Sequence, residues 1–213
     1  MKLGFISITR TAMPPLMALA QQREGLEYLN YLDEGIEMLE AERGGVDDDL
    51  LARMTGLLRT ARDDGAEGLL ITCSMFTPYL DKLRSGIKVP VIAADEAMMK
   101  LAVKDSDKLL LLCTNPGTVE PSESLLRRCA EEAGRDPEIE TVLLEEAWTA
   151  VHEGDNDKHN RLIREAIRDH EDNCDVIVLA QMSMAAAVLD FESKTRVMTS
   201  PGAALDTLEA MLR

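Results

Sequence analysis

The chain has 213 residues, enough for one large domain or two small lobes with a real core that needs no staples. Its formal charge of −16 comes from 39 acidic against 23 basic residues, and no Lys/Arg cluster interleaves with aromatics, which argues against a nucleic-acid partner. Four widely spaced cysteines (Cys73, Cys113, Cys129 and Cys174) form no CxxC and no Cys/His pair at ligand spacing, so neither a disulfide framework nor a metal site is expected.

The first strand is expected at residues 2–7, with Lys2 the one charge in the run from Met1 to Ile8, and no apolar run approaches the roughly 18 residues needed to cross a bilayer. A cytoplasmic protein with reduced thiols and no membrane partner is the reading. Further strands are expected at 27–32, 68–72, 89–93, 108–113, 139–144, 175–180 and briefly 195–198, from short apolar runs bounded by turn residues. Helices fill the gaps. One carries Leu50, Leu51, Met54, Leu57, Leu58 and Ala61 on a single face, and another starts near Gly154 or Asp155 and buries Leu162, Ile163, Ala166 and Ile167. The acidic runs Asp47-Asp48-Asp49, Asp63-Asp64 and Glu145-Glu146 lie at element ends and read as solvated faces.

Strands apolar on both faces and separated by helices imply an α/β fold with parallel sheets flanked by helices. The order suggests two pseudo-symmetric lobes, one from residues 1–95 plus 196–213 and the other from 96–195. Each contains a similar passage: Gly65 to Ser74 in the first corresponds to Asn173 to Ser183 in the second, as polar turn, buried strand, small or polar residue and helix start. Ligands of open α/β sheets bind beyond the carboxyl ends of strands, so Thr9, Cys73, Thr114, Gln181 and Thr199 are expected to converge on an active-site cleft between the lobes. Cys73 stands where a buried strand runs into a helix, and the unpaired N–H groups of a helix start stabilise a thiolate. Cys113 and Cys174 lie at strand ends away from such a turn and read as core.

A resemblance then becomes specific. Ile71-Thr72-Cys73-Ser74, Val89-Pro90-Val91-Ile92 followed by Glu96-Ala97, Leu112-Cys113-Thr114-Asn115-Pro116-Gly117-Thr118, and Ile177-Val178-Leu179-Ala180-Gln181-Met182-Ser183-Met184 together resemble the aspartate/glutamate/hydantoin racemase superfamily, which includes maleate isomerases and arylmalonate decarboxylases. The resemblance implies a cofactor-independent enzyme acting on a small carboxylic or dicarboxylic acid. It also implies two facing cysteines, one per lobe. The first matches Cys73; the second position carries Gln181. An amide can neither remove nor return a proton at neutral pH, so one-base isomerisation or decarboxylation fits this chain better than two-thiol racemisation. The alternative is a non-catalytic carboxylate-binding module that has lost one thiol. A homo-oligomer is expected.

Helper groups follow from the same turns. Ser74 can offer its N–H and hydroxyl to an oxyanion or cap the helix. Thr114, Asn115 and Thr118 form a second donor loop shaped by Pro116-Gly117, which serves either carboxylate binding or ordinary turn chemistry. Arg10, beside Thr9, can clamp a carboxylate bidentately or stand as a surface arginine. Met75, Phe76, Met182 and Met184 read as an apolar pocket wall or as adaptable core. His159 is expected on the exposed first turn of a helix. Thr199-Ser200-Pro201 should open a last helix that returns to the first lobe.

Overall fold

Asp47 shows how local chemistry sets the elements: its carboxylate accepts the Leu50 N–H at 2.9 Å and caps the helix that follows, whose first turn carries Asp48 and Asp49 against the positive end of the helix dipole. The computed structural model describes residues 1–104 and 106–213. In chain order these form β1 (Lys2–Ser7), α1 (Met13–Gln21), β2 (Glu27–Leu32), α2 (Glu34–Arg43), α3 (Asp48–Asp63), β3 (Gly68–Ile71), α4 (Leu80–Arg84), β4 (Val91–Ala93), α5 (Ala94–Lys104), β5 (Lys108–Cys113), α6 (Val119–Glu132), β6 (Glu138–Leu143), α7 (Glu145–His152), α8 (Asn156–His170), β7 (Val176–Leu179), β8 (Arg196–Met198) and α9 (Ser200–Leu212). No helix among the described residues is long and apolar enough to cross a membrane.

The strands pair as two wholly parallel sheets, β2-β1-β3-β4 and β6-β5-β7-β8. The chain divides into two units, Met1–Ala94 with Pro201–Arg213, and Asp95–Ser200. Because β8 pairs with β7, residues 196–200 stay with the second sheet rather than the first lobe expected for them. The fourth strand begins at Val91, two residues later than its apolar run suggested. Pro90 has no N–H for a ladder and contributes only its carbonyl, which accepts from Leu69 at 2.8 Å.

In the first unit the central strands β1 and β3 are buried almost throughout, and Leu50, Leu51, Met54, Leu58 and Ala61 of α3 cover one face. Leu208 and Leu212 of α9 press on Gly68 of β3. Gly4 in β1 is similarly confined: a Cβ there would stand 2.7 Å from Leu69 Cδ2, 3.1 Å from Ala61 Cβ and 3.3 Å from Ala66 Cβ. The leucine tip can yield, but the two alanine carbons are fixed to backbone. Gly4→Ala is therefore expected to lower stability by about 1–3 kcal/mol through overpacking, outweighing the ~0.4–1 kcal/mol gained by restricting the unfolded chain. A rise in the urea midpoint would show that the sheet and α3 can part freely.

In the second unit Ile163, Ala166 and Ile167 of α8 join Leu110, Leu112, Ile177 and Leu179 in one core. His159, expected on an exposed turn, is 2 % exposed instead: its Nδ1 meets Asn160 Oδ1 at 3.0 Å, and burial lowers its pKa. Asp155 caps α8 within the expected start, and His159 falls four residues before Ile163 on the same buried face as Ala166 and Ile167. Below α8, the Glu171 carboxylate accepts from Ser193 Oγ (2.9 Å), the Lys194 N–H (3.0 Å) and Arg168 Nη1 (3.2 Å), tying the loop before β8 to the helix end.

The Lys194 N–H, joined by Ser193 and Arg168, holds the Glu171 carboxyl below the usual carboxylate range despite some cost of burial. A depressed folded pKa stabilises the fold fully above the unfolded value and loses that contribution as pH falls through the folded one. Glu171→Gln should accordingly lower the urea midpoint near neutrality and flatten its fall below about pH 4.5, the ordinary Glu value. Parallel pH profiles for the two proteins would contradict this.

The two units share a set of equivalent bonds at both sheet edges. At the amino edge the Glu67 N–H donates to Lys2 O and its carboxylate takes the Lys2 N–H, as Asp175 does with Lys108. At the carboxyl edge Thr72 N–H donates to Ile6 O at 3.0 Å and Ala180 N–H to Leu112 O at 2.9 Å, while Ser7 O and Cys113 O accept from Asp33 and Leu144. These bonds align Ser7 with Cys113, Thr9 with Asn115, Thr72 with Ala180 and Cys73 with Gln181.

Candidate functional site

Cys73 follows β3 in extended conformation (φ −110°, ψ 119°) and occupies the cap position of a 3-10 turn, Ser74–Tyr79, which runs into α4. The helix start expected here is thus a tighter turn. Cys73 itself is half-buried, whereas Ser74 and Thr77 inside the turn are buried. Ser74 is the first residue of the turn, and the cap place is Cys73's.

The neighbouring strand end is fastened to Thr72, beside Cys73, by hydroxyls outside the expected site residues. Ser7 Oγ and Thr72 Oγ1 are 2.7 Å apart, Ser7 also reaches Met13 Sδ at 2.7 Å, and Thr72 Oγ1 donates to Ile6 O at 3.3 Å. Ser7 is fully buried, so this network fixes β1 to β3 one residue before the thiol. A signal was present: Ser7 is the single polar residue between Leu3 and Ile8. Another buried polar group, the Asp95 carboxylate in the first turn of α5 after β4, was also not singled out.

Thr9 serves its own turn, accepting the Thr11 N–H at 3.4 Å and sharing a hydroxyl bond with Thr11 at 2.9 Å. Arg10 is largely exposed and its fork is already taken: Nε and Nη2 donate to the two Glu34 carboxylate oxygens at 2.7 and 2.5 Å. The Glu34 hydrogen bond raises the Arg10 pKa and the same contact lowers that of Glu34.

In the second unit Gln181 stands after β7 in the conformation of Cys73 (φ −105°, ψ 143°), capping the 3-10 turn Met182–Val188. Even the first turn bond repeats, Phe76 N–H to Cys73 O at 3.2 Å and Met184 N–H to Gln181 O at 3.1 Å. Gln181 Oε1 accepts from the Thr114 N–H (2.7 Å) and Thr114 Oγ1 (3.2 Å), and its Nε2 donates to Thr118 Oγ1 (2.5 Å). A backbone N–H can only donate, so the oxygen end of the amide must face Thr114. Thr118 in turn donates to Asn115 O at 2.9 Å, and Asn115 Oδ1 takes the Gly117 N–H at 2.8 Å. Thr114, Asn115 and Thr118 are thus joined to Gln181 in one internal hydrogen-bond network, with Thr114 and Thr118 buried.

The other thiols are poorly disposed for chemistry. Burial pushes Cys113 up to about 12, against a hydrogen bond from Gln181 that favours its thiolate, and pushes Cys129 up to about 11. Cys174 precedes β7, at the opposite sheet edge from Gln181, and burial raises it as well. Met75 and Phe76 pack into the first unit's core and Met184 into the second's, with Met182 also buried. Among the described residues no group of three or more His, Cys, Asp or Glu side chains could hold a metal ion.

The sequence model described as Asp/Glu/Hydantoin racemase matches residues 8–208. The chain belongs to that family. Among curated proteins none matches it. Solved structures with the same fold include the aspartate racemase of Picrophilus torridus (TM-score 0.77, 16 % identity, 99 % of this chain and 94 % of that one). The allantoin racemase of Klebsiella pneumoniae aligns at TM-score 0.70 and 19 % identity, over 99 % of this chain and 87 % of that one. An arylmalonate decarboxylase aligns at 0.61 and 13 %, over 100 % and 93 %. This member of the Asp/Glu/Hydantoin racemase family thus carries a thiol at the end of β3 and an amide at the equivalent end of β7.

Proposed function

We propose that the chain is a cofactor-independent enzyme acting at the α-carbon of a small carboxylic or dicarboxylic acid, with Cys73 as its acid/base group. The observation that carries this reading is the pair of equivalent turns: one bears a half-exposed thiol, the other an amide whose oxygen and nitrogen are engaged. A thiolate at a turn start can take an α-proton, leaving a planar enediolate, and the thiol can return it. With Gln181 at the equivalent place in the repeat, no second proton carrier is supplied there, so proton return by the same group, or protonation of an enediolate left by loss of CO₂, is the chemistry that fits. Racemase relatives in fold support the α-carbon as target, and the arylmalonate decarboxylase supports the decarboxylation branch.

The test is incubation in D₂O with aspartate, glutamate, hydantoin, maleate and arylmalonate compounds, following α-proton exchange and CO₂ release by NMR. Exchange without inversion, or CO₂ release, is expected for at least one compound. Cys73→Ser should reduce it by about 10²–10⁴-fold, the usual worth of general acid–base catalysis. Full turnover in Cys73→Ser would remove the assignment.

A further inference from the structure

Gln181 does more than occupy the position equivalent to Cys73. Its Oε1 draws two donors of one residue onto a single sp² oxygen, the Thr114 N–H at 2.7 Å and the Thr114 hydroxyl at 3.2 Å. Convergent N–H and O–H donors on one oxygen are the arrangement by which proteins hold an oxyanion, and such bonds roughly double in strength when the acceptor is charged. Thr114 is fully buried and Thr118 is 3 % exposed, so in this arrangement the amide and not solvent satisfies the Thr114 donors. Gln181 itself is only half-buried and hangs on three rotatable side-chain bonds, so it is the movable member of the cluster. Thr118 would lose only a bond that it accepts, and would keep its own donation to Asn115 O.

We propose that the Gln181 carboxamide is a displaceable internal ligand, occupying a carboxylate-binding donor set at the end of β5 and thereby setting how weakly the second unit takes an acidic group. The proposal rests on the reading above for its ligand class alone. Its readout is binding at Thr114, so it stands or falls separately from turnover at Cys73. An acid entering this site must first displace the amide; shortening Gln181 removes that competition.

The experiment titrates ¹⁵N-labelled protein with sodium acetate, against sodium chloride at matched ionic strength, and follows the Thr114 amide. In Gln181→Ala the resonance should shift saturably, with a Kd at least about tenfold below that of the unaltered protein, a difference of about 1.4 kcal/mol. Gln181→Glu, which puts a charged oxygen at the same reach, should bind acetate no more tightly than the unaltered protein does. Equal titration in Gln181→Ala and the unaltered protein would overturn the proposal, as would no saturable shift in Gln181→Ala or a Gln181→Glu that binds as Gln181→Ala does. If Gln181→Ala gives no folded spectrum, Gln181→Asn carries the same comparison. Loss of the fold in both would make Gln181 a structural strut and overturn the proposal as well.

Discussion

Iodoacetamide near neutral pH is expected to alkylate Cys73 ahead of the other three cysteines. Only the thiolate attacks, so a thiol raised from 9.0 to about 12, as Cys113 is, loses roughly three decades of reactive species. Its greater intrinsic nucleophilicity returns about half of that on a logarithmic scale, leaving Cys113 at least about thirtyfold slower than an ordinary thiol before steric exclusion is counted. Cys129, pushed up to about 11, follows the same arithmetic with a smaller factor and is 2 % exposed. Cys174 is half-buried and raised in the same direction. Cys73 alone of the four caps a turn at a carboxyl strand edge. One fast-labelling equivalent, lost in Cys73→Ser and protected by small diacids, is the expected result. Labelling of Cys174 first would sink the assignment, and an inert Cys73 in a protein that still binds diacids would favour a carboxylate-binding module over an enzyme.

Much of the fold was legible because it rests on patterns that sequence carries directly. The double repeat of polar turn, buried strand and turn start at Gly65–Ser74 and Asn173–Ser183 is reproduced in the matched sheet orders and edge bonds. Boundaries slipped where a single backbone feature decides, as at Pro90, or where a short strand is defined only by its partner, as β8 is by β7. His159 is buried, not exposed, because it continues the apolar stripe of Ile163, Ala166 and Ile167 at helical spacing, which a polar residue type in a first turn conceals.

For the candidate site, sequence names polar residues without showing how they connect. Sequence marks Thr114, Thr118 and Gln181 as polar groups in the turns that follow strands, but that they bond to one another depends on β5 and β7 being neighbours in register. Likewise Thr72 sits beside Cys73 in the chain, and only the pairing of β1 with β3 shows that Ser7 supports it. Arg10 looks free until α2 presents Glu34 to its fork.

The residues expected as pocket wall or core give the second large effect. Phe76 lies three positions after Cys73 and Met184 three after Gln181, both are fully buried, and each packs with its own unit's core. Truncating a buried Phe to Ala removes its transfer free energy and leaves a cavity, about 3–5 kcal/mol, and Met to Ala about 2–5 kcal/mol. Phe76→Ala should therefore lower the urea midpoint followed by far-UV circular dichroism. Met184→Ala should do so in the fluorescence of Trp148, the single tryptophan, which lies in the second unit. A pocket wall behaves differently: its loss leaves an opening that water fills at small cost, and the change appears in ligand affinity. Midpoints unchanged within about 0.5 kcal/mol, the range of ordinary surface substitutions, would return these side chains to the pocket. The burial of both in continuous apolar clusters makes the large loss the expected outcome.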